Sequence, residues 1–394
     1  MHWYEHSFGA IETAKISKKL YPNVPVVIGG MTTTIFAKEI LENFDVIDYA
    51  LKGDSEKPIK DLVDYLLTPK TSIDCIENIA YRKNTEIIDK SITYCCESLD
   101  ELDNISDDFI KNNDKYLITN TTGVHENRKK NAWITIGRGC LYNCTYCDSA
   151  CKNNKKLWGR EGMLISSPEK VADDIIQAYK KGAEVVRVTH DLEMLDQEYY
   201  EKIFEIIKQS GTKIGFNYDS FQLPSIDFIN KLINTFDESN TIIDITVITA
   251  SDKIRNKMGK QFSNKQLLNL LDYLKETKAI TRIYYSINVE NETMSDFYTT
   301  IEQIQHLANN YASQTFYINY ERVILDPLAT MRDIKYNNVC IQLKTFMDYY
   351  EYCKFDNKNY TGYIDNLSDK YQEKVDKYNI IKQEYAEKGY YNIY

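Results

Sequence analysis

The sequence lacks any uninterrupted apolar run of about 18 residues, the length from which a helix can span a membrane. It also lacks a basic excess, because 48 Lys and Arg stand against 58 Asp and Glu, for a formal charge of −10. A surface that binds nucleic acid is normally basic. The start of the chain shows no basic segment followed by an apolar core, as a secretory signal would. We therefore expect no membrane span, no nucleic-acid partner and a cytoplasmic location.

Cysteine is present in an odd number, nine, and no export signal accompanies it. This combination is typical of a reducing compartment, where thiols serve metals or catalysis and not disulfides. The chain has 394 residues, of which 43% are hydrophobic, so it can form one large domain or two ordinary ones around a real core.

Residues 1–67 show a βαβ pattern. A short apolar strand at 24–28 ends at Gly29-Gly30, a helical segment follows, and residues 45–53 form a second strand. This pattern predicts a small parallel sheet of Rossmann-like type. Residues 68–128 are polar, with short strands expected near 78–81 and 91–95, and we interpret them as a linker or covering segment.

Residues 129–330 repeat a strand-helix unit six times. Ser167-Pro168 predicts one helix start, since it supplies an N-cap and a proline at the first helical position, and Ser263 predicts another. The fold class is therefore α/β, a partial (β/α)6 TIM-like barrel. Residues 331–394 form a Tyr-rich helical extension. The strands are expected at 133–136, 184–189, 213–217, 242–248, 280–288 and 315–325.

Three cysteines, Cys140, Cys144 and Cys147, follow the first of these strands with Cys-x3-Cys-x2-Cys spacing. The C-terminal ends of barrel strands are where such folds carry their chemistry. Thiolates select soft metals or iron–sulfur clusters, and three ligands on a cubane leave one iron open. A structural zinc site needs four ligands. Cys151 would supply a fourth, so a zinc site remains an alternative. Gly137 and Gly139 allow the backbone to approach closely.

The strand that ends in Gly-Arg-Gly-Cys, followed by the remaining cysteines and the aromatic Tyr146, resembles the radical SAM superfamily. This resemblance implies a [4Fe–4S] cluster on Cys140, Cys144 and Cys147, with S-adenosylmethionine on the open iron. It further implies reductive cleavage of S-adenosylmethionine to a 5′-deoxyadenosyl radical, with electrons from a reductant such as flavodoxin or ferredoxin. The substrate, a small molecule or a peptide, cannot be derived.

The resemblance also suggests residues that bind S-adenosylmethionine at the strand ends. The segment 188–193 departs from the family's Gly-Gly-Glu, and 288–293 lacks the family's glycines. His190 is either a proton carrier or a polar rim residue. Asn217 and Tyr218 either line a substrate pocket or only fill the rim of the barrel. Arg160 either neutralises the charge of the cluster or of a carboxylate, or lies on the surface. The candidates for S-adenosylmethionine are Tyr146, Thr189, Asp191, Thr249, Ser251 and Glu292.

Residues 1–67 resemble the second half of the cobalamin-binding domain that precedes many radical SAM barrels. Gly29, Gly30 and Thr32 match its loop around the corrinoid's nucleotide tail, and 52–58 match a further segment with substitutions. The family's Asp-x-His-x-x-Gly loop is absent, so cobalamin use and cobalamin-dependent methyl transfer are left open, and a plain βα turn is the alternative. Cys340 and Cys353 are interpreted as structural, with an auxiliary cluster left open.

Two functions of different kinds follow from these residues. The first is a radical SAM enzyme, and the second is a zinc-stabilised or catalytically inactive interaction protein on the same fold.

Overall fold

The computed structural model describes residues 1, 4–68, 72–103, 129–160, 162–287, 289, 291–311, 316–322, 326–329, 332, 343–354 and 370–387. Their contacts form two compact units. The N-terminal unit comprises Met1–Glu97, Thr145–Gly162 and Ile324–Asp365. The barrel unit comprises Ser98–Cys144, Met163–Val323 and Asn366–Tyr394. The segment 145–162 thus groups with the N-terminal unit, although it lies inside the stretch expected to be barrel. None of the described helices is both long and apolar enough to cross a membrane.

The N-terminal unit contains a four-stranded sheet of order β1-β2-β3-β4. Strands β1 and β2 pair in parallel around a helix, which confirms the predicted βαβ pattern. Strands β3 and β4 form an antiparallel hairpin on the same sheet. The described part of residues 68–128 therefore adds two strands to this sheet and is more than a linker or covering segment. No strand forms at 91–95, which was expected to be one. The elements are α1 Ser7–Leu20, β1 Val27–Ile28, α2 Met31–Asn43, β2 Tyr49–Leu51, α3 Glu56–Leu67, β3 Ile79–Lys83, β4 Glu86–Asp89, α4 Cys151–Trp158 and α11 Phe346–Lys354.

The barrel unit is built on six parallel strands in the order β12-β11-β10-β9-β8-β5, which confirms the predicted partial (β/α)6 barrel. All six predicted strands are present, with ends shifted by a few residues. They are β5 Asn131–Ile134, β8 Val185–Val188, β9 Gly215–Ser220, β10 Ile242–Ile248, β11 Ile280–Ile287 and β12 Phe316–Arg322. A two-stranded ribbon is formed by β6 Gly137–Gly139 and β7 Met163–Ile165. The helices are α5 Pro168–Lys180, α6 Gln197–Ser210, α7 Ile226–Ile233, α8 Asp252–Lys257, α9 Asn264–Leu274, α10 Met294–Tyr311 and α12 Tyr371–Glu387.

Both predicted helix starts are confirmed. The Ser167 side chain accepts a hydrogen bond from the Lys170 amide, and Pro168 occupies the first turn of α5. Ser263 and Gln266 form a reciprocal capping box at α9, so two otherwise unpaired donors at this end are satisfied.

Alternation along the strands gives the sheet two different faces. One face packs apolar side chains such as Val186, Phe216, Ile245 and Ile283 against the helices in a single large core. The residues between them, which include Arg187, Asn217, Asp219, Asp244 and Arg282, share the opposite, concave face.

The helix α12 is held on the barrel unit by a buried ion pair. The Lys374 Nζ is 2.9 Å from the carbonyl oxygen of Glu292 and 3.1 Å from its Oε2. Both side chains are fully buried, and Tyr378 and Tyr385 of α12 join the main core. Burial raises the pKa of Glu292 to about 7, and the ammonium of Lys374 opposes the shift. A buried pair costs desolvation, so it fixes the docking position more than it adds stability.

We expect Gly215→Ala to destabilise the barrel unit by about 1–3 kcal/mol, because added atoms overpack a filled core. A Cβ at Gly215 would lie 2.3 Å from the carbonyl oxygen of Asn240, which is backbone and cannot rotate away. Thermal unfolding measures the effect. Gly9→Ala is the control, since nothing lies within 4 Å of its Cβ position on α1, and it should be neutral or slightly stabilising. Equal melting temperatures for Gly215→Ala and the wild type would contradict the packing described.

We expect the stability of the wild type relative to Glu292→Gln to fall as the pH rises. The folded-state pKa of Glu292, about 7, lies above its ordinary value of 4.5, so the folded protein holds a proton that the unfolded chain releases. The advantage is full below pH 4.5 and is lost as the pH rises through about 7, for a total of about 1–3 kcal/mol. Urea unfolding at several pH values tests this, with the exposed Glu276→Gln as control. A pH-independent difference would refute it.

Candidate active site

The cysteine loop leaves the barrel unit through the ribbon of β6 and β7, which pair antiparallel. Gly137 is required here because a Cβ would lie 3.1 Å from the Leu164 carbonyl oxygen and 3.2 Å from the Ile165 side chain. Gly139 has a φ of +89°, in the left-handed region that glycine tolerates best. Gly137 is therefore favoured because the ribbon is crowded, and Gly139 because its φ is positive directly before Cys140. The sequence had indicated only that both glycines let the backbone approach closely.

Two hydrogen bonds tie the segment 136–139 to the end of β8, and a third joins the two side chains involved there. The Ile136 amide donates to Thr189 Oγ1 at 3.3 Å, and His190 Nε2 lies 2.9 Å from the Gly139 carbonyl oxygen. A carbonyl can only accept, so Nε2 carries the proton; Nδ1 of the neutral ring then accepts from the Thr189 hydroxyl at 2.9 Å. Burial lowers the pKa of His190, which favours this neutral ring. His190 and Thr189 thus position the backbone that leads into the cysteines.

Cys140 and Cys144 belong to the barrel unit and lie near a buried cation. Lys260 is only 4% exposed, and its ammonium donates to the Phe221 carbonyl. Burial lowers the pKa of Lys260, while Cys144, Asp191 and Cys140 act in the opposite direction. A positive charge at this position stabilises thiolates, the form in which cysteine binds metal.

Cys147 belongs to the N-terminal unit, where its flanking residues are bonded to the segment 326–328. The Asp148 amide donates to Asp326 Oδ2 at 3.0 Å, and the Asp326 amide donates to the Tyr146 carbonyl at 3.2 Å. The amide of Leu328 donates to Asp148 Oδ1 at 2.5 Å. Burial raises the pKa of both carboxyls, that of Asp148 to about 7 and that of Asp326 to about 6. These bonds fix the backbone on both sides of Cys147.

None of the eight described cysteines forms a disulfide. Within the described ranges no group of three or more His, Cys, Asp or Glu side chains is arranged for a single metal ion. Cys151 begins α4, and Cys353 lies on α11, where burial raises its pKa to about 11. Cys340 lies outside the described residues.

Asp191 is held by the protein's own donors. It accepts from the Tyr218 hydroxyl, from the Glu193 amide at 2.9 Å and from the Phe221 amide at 2.7 Å. A carboxylate has about four acceptor positions, so most of its capacity is used. Asp191 thus joins the loops that follow β8 and β9, and Tyr218 packs on the helix-facing side of the sheet, in the main core.

The loop after β10 is joined to the start of α10. Thr249 is fully buried, and its hydroxyl lies 3.1 Å from that of Thr300. Asp296 accepts from the Thr293 hydroxyl at 2.6 Å. Burial acts to raise the pKa of Asp296, but the hydrogen bonds from Thr293 and Ser251 lower it. Ile248, which precedes this loop, has a φ of 70°, a strained value for a β-branched residue. Such strain is common at functional sites.

The other predicted residues lie in separate places. Glu292 is occupied by Lys374, as described above. Arg160 is buried and forms an ion pair with Asp54 inside the N-terminal unit, so its surface alternative is wrong. Among the described residues, no hydrogen bond joins Thr189 or Asp191 to Thr249, Ser251 or Glu292. The assignment of these residues to S-adenosylmethionine stays a prediction.

The concave face of the sheet carries a charged network that the sequence analysis missed, apart from Asn217. Asp244 accepts from Arg282 Nε at 2.5 Å and from Nη2 at 2.6 Å. Asn217 links the two, donating to Asp244 at 2.7 Å and accepting from Arg282 at 3.1 Å. The signal was available, because a charged residue stands alone in each of the apolar strands "IIDITVI" and "ITRIYYSI".

One end of this network is open to solvent. Arg187 donates to Asp219 from Nη2 at 2.7 Å, and its guanidinium lies over the ring of Trp133, 4.3 Å from the centroid. Trp133 is 45% exposed. Burial and the charge of Asp244 raise the pKa of Asp219 to about 7, while Arg187 opposes the shift. The concave face thus offers a cation, an anion and an aromatic surface together.

In the N-terminal unit, Gly29 and Gly30 end β1 at the start of α2, as predicted. Gly30 has a φ of +100°. The hydroxyls of Thr33 and Thr34 bond back to the carbonyls of Gly29 and Gly30 at 3.1 and 2.9 Å, and Thr32 is buried. The threonine hydroxyls at this turn are used within the protein, so a ligand would meet the glycine backbone more than the threonine side chains.

Residues 134–304 match the sequence profile of the radical SAM superfamily. The chain is 24% identical over 324 residues to an uncharacterized methyltransferase of Pyrococcus horikoshii, covering 79% of this chain and 64% of that protein. It is 24% identical over 320 residues to the anaerobic magnesium-protoporphyrin IX monomethyl ester cyclase of Rubrivivax gelatinosus, covering 77% and 52%. The chain therefore spans less than two thirds of either relative.

Two solved structures share the fold. The radical S-adenosylmethionine methyltransferase TsrM of Kitasatospora setae aligns with a TM-score of 0.63 at 13% identity, covering 83% of this chain and 60% of that one. The cobalamin-dependent S-adenosylmethionine radical enzyme OxsB aligns with a TM-score of 0.54 at 14% identity, covering 88% and 45%. At these identities the likeness is one of fold alone. The profile match identifies residues 134–304 as similar to the radical SAM superfamily, and the two solved structures share the fold of this chain.

Proposed function

We propose that the protein is a radical SAM enzyme that functionalises a carbon–hydrogen bond of its substrate, with methyl transfer as the favoured outcome. The observation that carries the proposal is the cysteine loop at the end of the first strand of the parallel sheet, with a buried lysine beside two of its thiols. One relative and one structural neighbour are methyltransferases, which supports the choice of reaction.

The residues present fit a [4Fe–4S] cluster. Cys140, Cys144 and Cys147 form no disulfide, and thiolates are the usual ligands of such clusters. Lys260 offsets part of the negative charge of the Cys140 and Cys144 thiolates. When bound, the cluster supplies the electron that cleaves S-adenosylmethionine and yields the 5′-deoxyadenosyl radical.

The chain's own residues hold and shield this site. His190 and Thr189 fix the carbonyl of Gly139 and thereby the direction in which Cys140 leaves the ribbon. Asp191 and Asp296 each join two rim loops, so the rim at the strand ends is set before a ligand arrives. Such preorganisation lowers the cost of binding.

The substrate is proposed to bind on the concave face. Trp133, Arg187 and Asp219 form its partly exposed end, while Asp244 and Arg282 are buried beneath. An aromatic ring and a charged pair suit a polar substrate with a planar or acidic group. We place the enzyme in the cytoplasm, where a low-potential reductant such as flavodoxin or ferredoxin supplies electrons.

Cobalamin is proposed as a second cofactor of the N-terminal unit, with Gly29 and Gly30 as its backbone contact. Both solved neighbours support this, since one is described as cobalamin-dependent and the other has been solved with cobalamin and a [4Fe–4S] cluster bound. The glycine turn would contact only the nucleotide tail of the corrinoid. No residue is assigned as an axial ligand of the cobalt.

We expect Cys144→Ala, purified and reconstituted without oxygen, to lose its cluster, because two thiolates do not retain a cubane. Iron should fall from about four per chain to near zero, and no 5′-deoxyadenosine should form with dithionite and S-adenosylmethionine. Cys151→Ala is the matched control and should keep both.

The alternatives give different results in the same assay. Colourless wild-type protein with one zinc per chain, lost in both variants, would establish a zinc-stabilised protein. A cluster that forms in the wild type without any production of 5′-deoxyadenosine would establish a catalytically inactive member of the superfamily.

We expect the wild type to retain hydroxocobalamin through gel filtration and Gly29→Leu to release it, because a branched side chain, crowded by Leu51, would shift the glycine backbone that is proposed to contact the corrinoid. Gly29→Ala is the control for folding, since its Cβ would lie 3.6 Å from the Leu51 carbonyl oxygen, an ordinary contact. Absence of bound corrinoid in the wild type would remove cobalamin from the proposal and leave the cluster unaffected.

A further inference from the structure

A cavity of about 920 Å³ lies in the barrel unit, lined by the loop that follows β9 and by the first turns of α9. This volume lies within the range of sites that hold a small organic ligand. The substrate site proposed above lies on the concave face of the sheet, and none of the residues named there lines this cavity. The wall is largely apolar and includes Leu223, Pro224, Ile226, Phe262 and Leu270.

An aromatic side chain from the cysteine loop completes the wall. Tyr142 lines the cavity, and its ring packs edge-on against Phe221 with the centroids 6.2 Å apart. Among the described residues no cation lies over the ring of Tyr142. Phe262, by contrast, already has the guanidinium of Arg255 over its ring, 4.6 Å from the centroid. The face of an aromatic ring attracts an ammonium group, so Tyr142 offers a place that a cation can occupy.

Glu193 is the acidic residue among those described at the cavity. Its carboxylate accepts from the Ser225 amide at 2.9 and 3.2 Å, and in the described part of the chain it forms no ion pair. Burial raises the pKa of Glu193, and the charges of Asp191 and Asp227 raise it further, while the hydrogen bonds from Ser225 oppose the shift. A charge in largely apolar surroundings is costly unless it is paired. The carboxylate therefore favours a cation in the cavity.

Glu193 and Tyr142 are close enough to interact. Burial raises the pKa of the Tyr142 hydroxyl to about 12, and the charge of Glu193 contributes to the shift. A ligand whose cation pairs with the carboxylate can therefore also contact the tyrosine ring.

The other charged residue described at the cavity is Lys265. Lys265 is exposed, whereas Glu193 is half-buried, so the ammonium of the lysine keeps its hydration and the carboxylate does not. Gln222 is a neutral lining residue that is used within the protein. It donates to the Gly259 carbonyl at 2.7 Å and accepts from the Gln261 amide at 2.9 Å. The charge in the cavity that still lacks a partner is therefore that of Glu193.

We propose that this cavity binds an amphipathic organic cation, a molecule with a protonated amine on an apolar body. It is a ligand separate from the substrate and from S-adenosylmethionine, so the proposal goes beyond the proposed function. The ammonium pairs with Glu193 beside Tyr142, and the apolar body packs on the wall that Leu223 and Leu270 share. The bound ligand lies near the cysteines, because Gly259 lines the cavity and a Cβ built on it would be 3.9 Å from the Sγ of Cys144.

The test compares two probes that share a fluorophore and differ in charge. Dansylcadaverine carries an amine and dansylglycine a carboxylate, and fluorescence anisotropy measures the binding of each to the full-length protein reconstituted without oxygen. We expect the wild type to bind dansylcadaverine at least about tenfold more tightly than dansylglycine, and Glu193→Gln to lose about that factor, since a hydrogen bond to a charged group contributes this much or more. Glu198→Gln, at an exposed position of α6, is the matched control and should bind as the wild type does.

A second variant fills the cavity without changing charge. Asn269 lines the cavity and is exposed on α9, so Asn269→Trp adds a large side chain at the opening and leaves the core intact. We expect this variant to weaken the binding of dansylcadaverine although Glu193 is retained. Its thermal unfolding, measured in parallel, should match that of the wild type.

Several results would overturn the proposal. These are no saturable binding of dansylcadaverine, equal affinity of the two probes, and wild-type affinity in both Glu193→Gln and Asn269→Trp. Tighter binding of dansylglycine that Lys265→Ala weakens would replace the cation with an anionic ligand. Displacement of dansylcadaverine by S-adenosylmethionine would assign the cavity to the cofactor and end the case for a separate site. None of these results affects the proposed function, which fails separately if the wild type assembles no cluster.

Discussion

The hydrogen bonds between the end of β8 and the β6–β7 ribbon are the constraint on which the site depends. They run from the Ile136 amide through Thr189 and His190 to the Gly139 carbonyl. This carbonyl belongs to the residue before Cys140, and the ribbon pairs the same residue with Met163. Both ends of the segment 140–162 are thus fixed to the barrel unit, whatever the segment itself holds. A cluster ligand that begins from a fixed backbone loses less conformational freedom on binding.

The charges of the barrel unit are arranged by depth. Asp244 and Arg282 are almost fully buried, and a pair of this kind repays its desolvation only when both partners remain. Arg187 and Asp219 are partly exposed on the same face. The deeper pair therefore shapes the surroundings of the outer one, as seen in the raised pKa of Asp219, to which Asp244 contributes. This explains why a sheet that packs apolar residues on one face keeps charged residues on the other.

Local sequence was sufficient to predict most of the barrel. The apolar runs located all six strands, and Ser167-Pro168 and Ser263 marked helix starts, because strand burial and helix capping are decided within a few residues. Of the β3–β4 hairpin only the first strand was predicted, because β4 is short and largely unburied and the turn before it uses Asn84 with a φ of 55°. The electrostatic interactions of Lys260 with the cysteines and the pairing of Lys374 with Glu292 left no local signal. The fold brings these partners together from distant parts of the sequence, Lys374 and Glu292 across 82 residues.

The pairing of Lys374 with Glu292 has a consequence for the order of synthesis. The ribosome makes Glu292 well before Lys374, because 82 residues separate them. Until α12 is made, the β11–α10 loop presents a carboxylate without its cation. The nascent barrel therefore passes through a stage in which its last strands exist and its closing helix does not.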